Sequence, residues 1–155
     1  MTRSFLWSAG YALVILGTIS CGLLARPDAR YQRYRVSSVS NELVVILENG
    51  PRVRLAGIRI TYPPAGPLYQ EMLAYSRANL VGRVVQLVGL KMNREPTAYL
   101  MIVDSHPAVL FNSGLLAWGF ATIDSDTLID DFREAMLSSE ADARDERLGI
   151  WANSR

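Results

Sequence analysis

The chain is short of the residue types that build most metal sites and disulfides. It contains one cysteine, Cys21, one histidine, His106, and one lysine, Lys91. A single cysteine excludes an intrachain disulfide and a cysteine-based zinc site, and a single histidine excludes a site of several histidines. The net charge of +1 gives no whole-chain indication of nucleic-acid binding. Hydrophobic residues make up 50% of the 155 residues, which favours a globular core over a disordered chain.

The basic and acidic residues are separated along the chain. Residues 26–94 contain 11 basic and 4 acidic side chains, whereas residues 95–155 contain 4 basic and 11 acidic ones. Two interpretations are open. The folded domain has a basic face for phosphates, or the acidic half is a solvated helix.

Residues 5–25 form an uncharged run of 21 residues. A helix that spans a bilayer needs about 20 apolar residues, whereas the hydrophobic part of a secretory signal has about 7–15. The length therefore predicts a retained single-pass anchor over residues 1–25, with a signal segment as the alternative. Lipidation at Cys21 is a further alternative. Arginines on both sides of the run leave open on which side of the membrane the domain lies.

A basic linker over residues 26–33 leads into a segment rich in β-branched residues. Asn49-Gly50 lies between two strand-like runs, which is typical of a β-hairpin. Pro67 is expected at the first position of a helix, and Gly82 is expected to end it. Strands are predicted over residues 34–36, 43–47, 53–58, 84–90 and 99–103.

Two more helices are predicted near the C-terminus. Asn112 is expected to cap a short helix that Gly119 closes, and Ser125 or Asp126 to cap the last helix. The buried face of the last helix is expected to hold Leu128, Phe132, Met136 and Ala143. The order of elements predicts an α+β fold, mainly β, in which a small barrel carries about three helices and follows the transmembrane helix.

Four stretches resemble the staphylococcal-nuclease-like (thermonuclease) family, whose fold is a five-stranded OB-fold barrel with three helices. The resemblance covers about residues 34–151, nearly all of a predicted domain over residues 34–155. The stretches are the strand VRLAGI at 53–58, the helix and strand at 66–87, the N-x-x-L-x-x-x-G-x-A pattern at 112–121, and the closing segment at 140–151.

The resemblance implies a nuclease that has lost most of its catalytic residues. In the family, carboxylates hold calcium, a glutamate orients the attacking water, and two arginines stabilise charge on the phosphate. Carried over residue by residue, one arginine is retained as Arg54 and one acid as Glu42. The resemblance puts Arg59 at a metal-ligand aspartate position, Tyr62 at the glutamate position, and Ala98 near the second arginine. No metal site and no cofactor are predicted.

The remaining candidates are Arg54 and Glu42 for catalysis and Arg54 and Arg59 for binding. For Arg54, one hypothesis is that it binds a phosphate, and the other is that it is a strand residue paired with Glu42 or Glu48. For Arg59, one hypothesis is an ion pair with Glu42 in place of the lost cation, and the other is a solvent-facing strand end.

Two other groups of reactive residue types have structural interpretations. Asp104-Ser105-His106 contains the residue types of a catalytic triad, but consecutive residues before Pro107 favour a turn. The acidic run at 124, 126, 130 and 131 could attract a cation, but Asp126 as a helix cap, with Asp130 and Asp131 in the first turn of the helix, explains it more simply.

The predicted function is that of a membrane-anchored, catalytically degenerate OB-fold module that acts by binding. Residues 5–25 provide the membrane contact. The partner is an unknown protein or a nucleic acid, although the few aromatic residues of the barrel strands argue against stacking of single-stranded bases. The alternatives are a divergent, active phosphodiesterase and a structural subunit of a membrane complex.

Overall fold

The computed structural model describes residues 32–152. The predicted anchor over residues 5–25, Cys21 and most of the linker over residues 26–33 lie outside the described residues. Within residues 32–152, no helix is both long and apolar enough to cross a bilayer.

In this described range, eight strands and three α-helices follow one another, and a 3₁₀ turn covers Gly149–Trp151. In chain order they are β1 (Arg33–Val39), β2 (Val45–Leu47), β3 (Arg52–Leu55), β4 (Ile58–Arg59), α1 (Pro67–Leu80), β5 (Val84–Lys91), β6 (Thr97–Ile102), β7 (Val109–Leu110), α2 (Phe111–Ala117), β8 (Thr122–Ile123) and α3 (Asp130–Asp145).

Five of the strands close into a barrel. The sheet runs in the order β3-β2-β1-β5-β6, with β7 added beside β6, and β3 pairs again with β6. This closing pair is parallel, with Arg54 opposite Thr97 and Leu55 opposite Ala98, whereas the other barrel pairs are antiparallel. A five-stranded closed barrel with a helix between its third and fourth strands fits an OB-fold.

The hairpin of β2 and β3 forms as the sequence predicts. Asn49 has a φ of 53°, a left-handed conformation that asparagine tolerates in turns. Val45 pairs with Val53, and both are fully buried. Since side chains alternate across a strand, Arg52 and Arg54 share the outer face of β3.

Helix α1 also confirms its prediction. It begins at Pro67, and Gly82 follows its end with a φ of 81°. The amide of Gly82 donates to the carbonyl of Val36, which ties the end of the helix to β1. The helix covers the barrel with a buried face that comprises Tyr69, Met72, Leu73, Ser76 and Leu80.

The predicted cap of the last helix is wrong. Helix α3 begins at Asp130, after Ile129 as N-cap, rather than next to Ser125 or Asp126. The reason is that Tyr99 holds the preceding segment: its hydroxyl donates to the carbonyl of Thr127 at 2.7 Å and accepts from the amide of Ile129 at 3.1 Å. The predicted buried face is confirmed in part, because Met136 and Ala143 are buried, Phe132 is half-buried, and Leu128 packs against the core from outside the helix.

Residues 140–151, the last of the four stretches that carry the resemblance, join α3 to the rest of the domain. Glu140, which is buried, accepts a hydrogen bond from the amide of Ile123 in β8 and one from Arg144, both at 2.9 Å. The guanidinium of Arg144 lies 4.4 Å from the centre of the Trp151 ring, a cation–π contact. Gly119 and Gly149 lie so close together that a Cβ atom on either would collide with backbone of the other segment.

Asn112 is not a helix cap. Leu110 takes the N-cap position, and Asn112 lies inside α2 with 0% of its surface exposed. Its amide nitrogen donates to the carbonyl of Ala56 at 2.8 Å, and its side-chain oxygen accepts from the amide of Leu100 at 2.9 Å. Asn112 therefore joins α2 to β6 and to the end of β3.

We expect Asn112→Ala to lower the free energy of unfolding by about 2–4 kcal/mol, because it leaves two buried backbone groups unpaired. The matched control is Asn79→Ala, whose amide donates to the carbonyl of Tyr75 one turn earlier in α1. That change should cost about 1 kcal/mol or less. Urea unfolding of the full chain in detergent, followed by circular dichroism, measures both. Equal losses would contradict the bridging role of Asn112.

Candidate functional site

A groove opens beside β3, between the segment at 40–44, which joins β1 to β2, and the segment at 92–96, which joins β5 to β6. We call it the loop groove. Its volume is about 530 Å³. Its lining residues are Glu42, Val44, Pro51, Arg52, Arg54, Met92, Arg94, Glu95 and Pro96. OB-fold proteins commonly bind ligands with these two loops and the neighbouring strands.

Arg54 connects the two walls of the loop groove. Its Nε lies 2.9 Å from a carboxylate oxygen of Glu95, and its Nη2 lies 3.7 Å from one of Glu42. Its Nη1 also donates to the backbone carbonyl of Glu42 at 3.3 Å. The structure thus brings Arg54 and Glu42, the two catalytic candidates, together. It adds Glu95, which the sequence analysis did not consider.

A second cavity of about 340 Å³ is lined by Arg59, the position at which the resemblance implies a metal-ligand aspartate. Glu42, Arg54 and Arg59 line it, together with Leu43, Leu55, Ile58, Ile60 and Tyr69. Burial raises the pKa of Tyr69, and its hydroxyl donates to the carbonyl of Asn41 at 2.8 Å. This wall of the cavity is therefore a neutral phenol.

The hypothesis that Arg59 pairs with Glu42 is wrong about the partner. Arg59 Nη2 lies 2.6 Å from Asp124 and 3.6 Å from Asp126. The cause is the pairing of β4 with β8, which places Arg59 opposite Thr122, two residues before Asp124. Asp124 is further held by Thr127, whose hydroxyl donates to it at 2.9 Å and accepts from the amide of Gly57 at 2.8 Å.

Two further positions lack the family's chemistry. Tyr62 donates its hydroxyl to the carbonyl of Phe120 at 2.7 Å, and burial raises the pKa of Tyr62 far above its ordinary value of 10.0. Tyr62 therefore stays protonated at neutral pH and cannot act as a carboxylate base. Ala98 is fully buried in β6.

Carboxylates in the described part of the chain do not converge. Residues 32–152 contain no group of three or more histidine, cysteine, aspartate and glutamate side chains placed to hold a metal ion. Of the acidic run, Asp124 and Asp126 face Arg59, and Asp130 pairs with Arg133 at 3.0 Å. Asp130 and Asp131 occupy the first turn of α3, where negative charge stabilises the helix dipole.

Asp104, Ser105 and His106 form a turn rather than a triad. Hydrogen bonds from Arg83 and from the amide of Val84 lower the pKa of Asp104. The hydroxyl of Ser105 donates to the carbonyl of Ile102 at 3.2 Å, so it is not directed at an imidazole.

The sequence analysis missed Arg52, Met92 and Arg94 of the loop groove. Arg52 could have been found, because it lies two residues before Arg54 in a strand-like run and so shares its face. Met92 and Arg94 lie in a loop, where side-chain direction follows no periodic pattern. Only the closure of the barrel between β3 and β6 brings that loop against β3.

Comparison with known proteins adds no family to this account. No protein-family model matches the chain, and no curated protein matches it. The strand order and the parallel closure of the barrel therefore carry the OB-fold description by themselves.

We expect Arg59→Ala to cost only about 0–1 kcal/mol of unfolding free energy, because the side chain of Arg59 is 58% exposed. Asp124→Ala should cost more, about 1–3 kcal/mol, since Asp124 is 17% exposed and also holds Thr127. Arg133→Ala, which removes another surface pair, is the control. A loss of about 3–5 kcal/mol on Arg59→Ala would instead indicate a buried pair. Urea unfolding of the full chain measures all three.

Proposed function

We propose that this chain is a membrane-anchored, catalytically degenerate module of the staphylococcal-nuclease-like type, and that it acts by binding a partner in the loop groove. The observation that carries the proposal is the position of Arg54. Glu42 and Glu95 engage its guanidinium from both walls of the groove. An arginine held in this way supports the shape of a binding groove and is not free to stabilise a phosphoryl transition state.

The residues near the second cavity support the loss of catalysis. An active member needs several carboxylates around a calcium ion, which takes about 6–8 oxygen ligands. Glu42 is the one carboxylate that lines this cavity. Arg59 also lines this cavity, and its guanidinium, which is paired with Asp124, has no acceptor atom to offer a cation.

The uncharged run over residues 5–25 supports the membrane anchor. The proposed linker over residues 26–33 would keep an anchored barrel close to the bilayer, since an extended chain gains at most about 3.6 Å per residue. The partner is accordingly expected to lie in the membrane or near its surface.

Site-specific photo-crosslinking tests this proposal. A benzophenone amino acid replaces Met92, which is 69% exposed in the loop groove, and the matched control replaces Leu137, which is 49% exposed on α3. Irradiation of intact cells should give a discrete adduct from position 92 and none of that size from position 137. The adduct should remain in carbonate-washed membranes.

Two results would contradict the proposal. The first is the absence of any adduct that is specific to position 92. The second is calcium-stimulated cleavage of single-stranded DNA or RNA by the purified full chain, if that cleavage is lost in Arg54→Ala. This second result would favour a divergent, active phosphodiesterase.

A further inference from the structure

The loop groove presents basic side chains that lack a counter-ion. Arg52 and Arg94 line it, and Lys91 lies directly before the segment 92–96. All three are exposed, and none of them forms an ion pair with another residue in the range 32–152. The two carboxylates of the groove, by contrast, are both engaged by Arg54. The groove therefore has unmatched positive charge, which a ligand of negative charge complements.

The other features of the groove lining favour carboxylate ligands over nucleic acid. Among residues 32–152, no aromatic side chain lines the loop groove, whereas proteins that bind single strands stack bases on such rings. Arginine pairs through two parallel hydrogen bonds with a carboxylate and with a phosphate alike, so the lining without aromatic rings is the feature that favours carboxylates.

The groove also offers apolar surface. Met92 is 69% exposed, and Pro51 and Pro96 lie among the lining residues. Methionine is flexible and polarisable, and it adapts to the side chains of a protein partner. Surfaces that combine arginine and methionine with apolar residues are typical of protein interfaces.

We propose that the loop groove binds an extended acidic segment of a partner protein, whose carboxylates pair with Arg52 and Arg94 and whose apolar side chains pack on Met92. This assignment rests on the proposed function and names the ligand class of the same site. Arg54 is a positioning residue in it, since both of its carboxylate partners belong to the walls of the groove.

Fluorescence anisotropy with the full chain in an uncharged detergent tests the assignment. The probes are a short labelled peptide rich in glutamate and leucine, the same peptide with glutamine in place of glutamate, and a single-stranded oligonucleotide. The glutamate peptide should bind most tightly of the three. The double variant Arg52→Glu/Arg94→Glu should weaken binding of the glutamate peptide about tenfold or more, because it turns two attractive charge pairs into repulsive ones.

Two matched variants keep the test interpretable. Arg133→Glu makes a charge change of the same kind on α3, outside the groove, and should leave the affinity unchanged. Arg52→Gln/Arg94→Gln removes the charges without reversing them and should give an intermediate loss. Circular dichroism confirms that each variant is folded.

Three outcomes would overturn the assignment. Equal affinity for the glutamine peptide would show that the unpaired arginines do not select carboxylates. Tighter binding of the oligonucleotide, lost in the double variant, would assign the groove to nucleic acid. Self-association of the chain, lost in the double variant, would assign the groove to an acidic surface of a second copy.

The crosslinking experiment separates this assignment from the proposed function. An adduct specific to position 92 together with failure of the glutamate peptide would overturn the ligand class and leave the binding function standing. Failure of both would overturn both.

Discussion

The organisation of the candidate site depends on the ion pairs of Arg54 across the mouth of the barrel. The barrel closes where β3 pairs with β6, and at that point the guanidinium reaches Glu42 in one loop and Glu95 in the other. These pairs contribute little to global stability, because the side chain of Arg54 is 38% exposed and its partners are more exposed still. Their effect is local, because they join the two loops that border the loop groove.

Two positions at which the resemblance implies metal chemistry have other partners in the structure. Where the family resemblance implies a metal-ligand aspartate, Arg59 pairs with Asp124, and where it implies a glutamate, Tyr62 donates to a backbone carbonyl. Both side chains therefore have partners within the protein. Arg52 and Arg94, which line the loop groove, form no ion pair with another residue in the range 32–152.

Much of the fold could be predicted from local pattern. Asn49-Gly50 marks the hairpin, and Pro67 and Gly82 bound α1, because these residues act through their own backbone. The predicted helix caps at Asn112 and Asp126 were wrong because each depends on residues that are distant in the sequence. Asn112 bonds to the backbone of Leu100 and Ala56 instead, and the hydroxyl of Tyr99 holds the segment before α3 so that the helix begins only at Asp130. Of the residues that line the loop groove, the resemblance named Arg54 and Glu42, whereas Glu95 and Arg94 reach it only through the long-range closure of the barrel.

The most direct test of this account is hydrogen–deuterium exchange of the full chain and its Arg54→Gln variant. Backbone amides in both segments, 40–44 and 92–96, should exchange faster in the variant, by up to about fivefold, in line with the loss of surface ion pairs. Arg133→Gln should leave both segments unchanged, and calcium should not slow exchange in the parent. Unchanged exchange in Arg54→Gln, or protection of the segment 40–44 by calcium, would contradict the claim that Arg54 holds a binding groove in place of a metal centre.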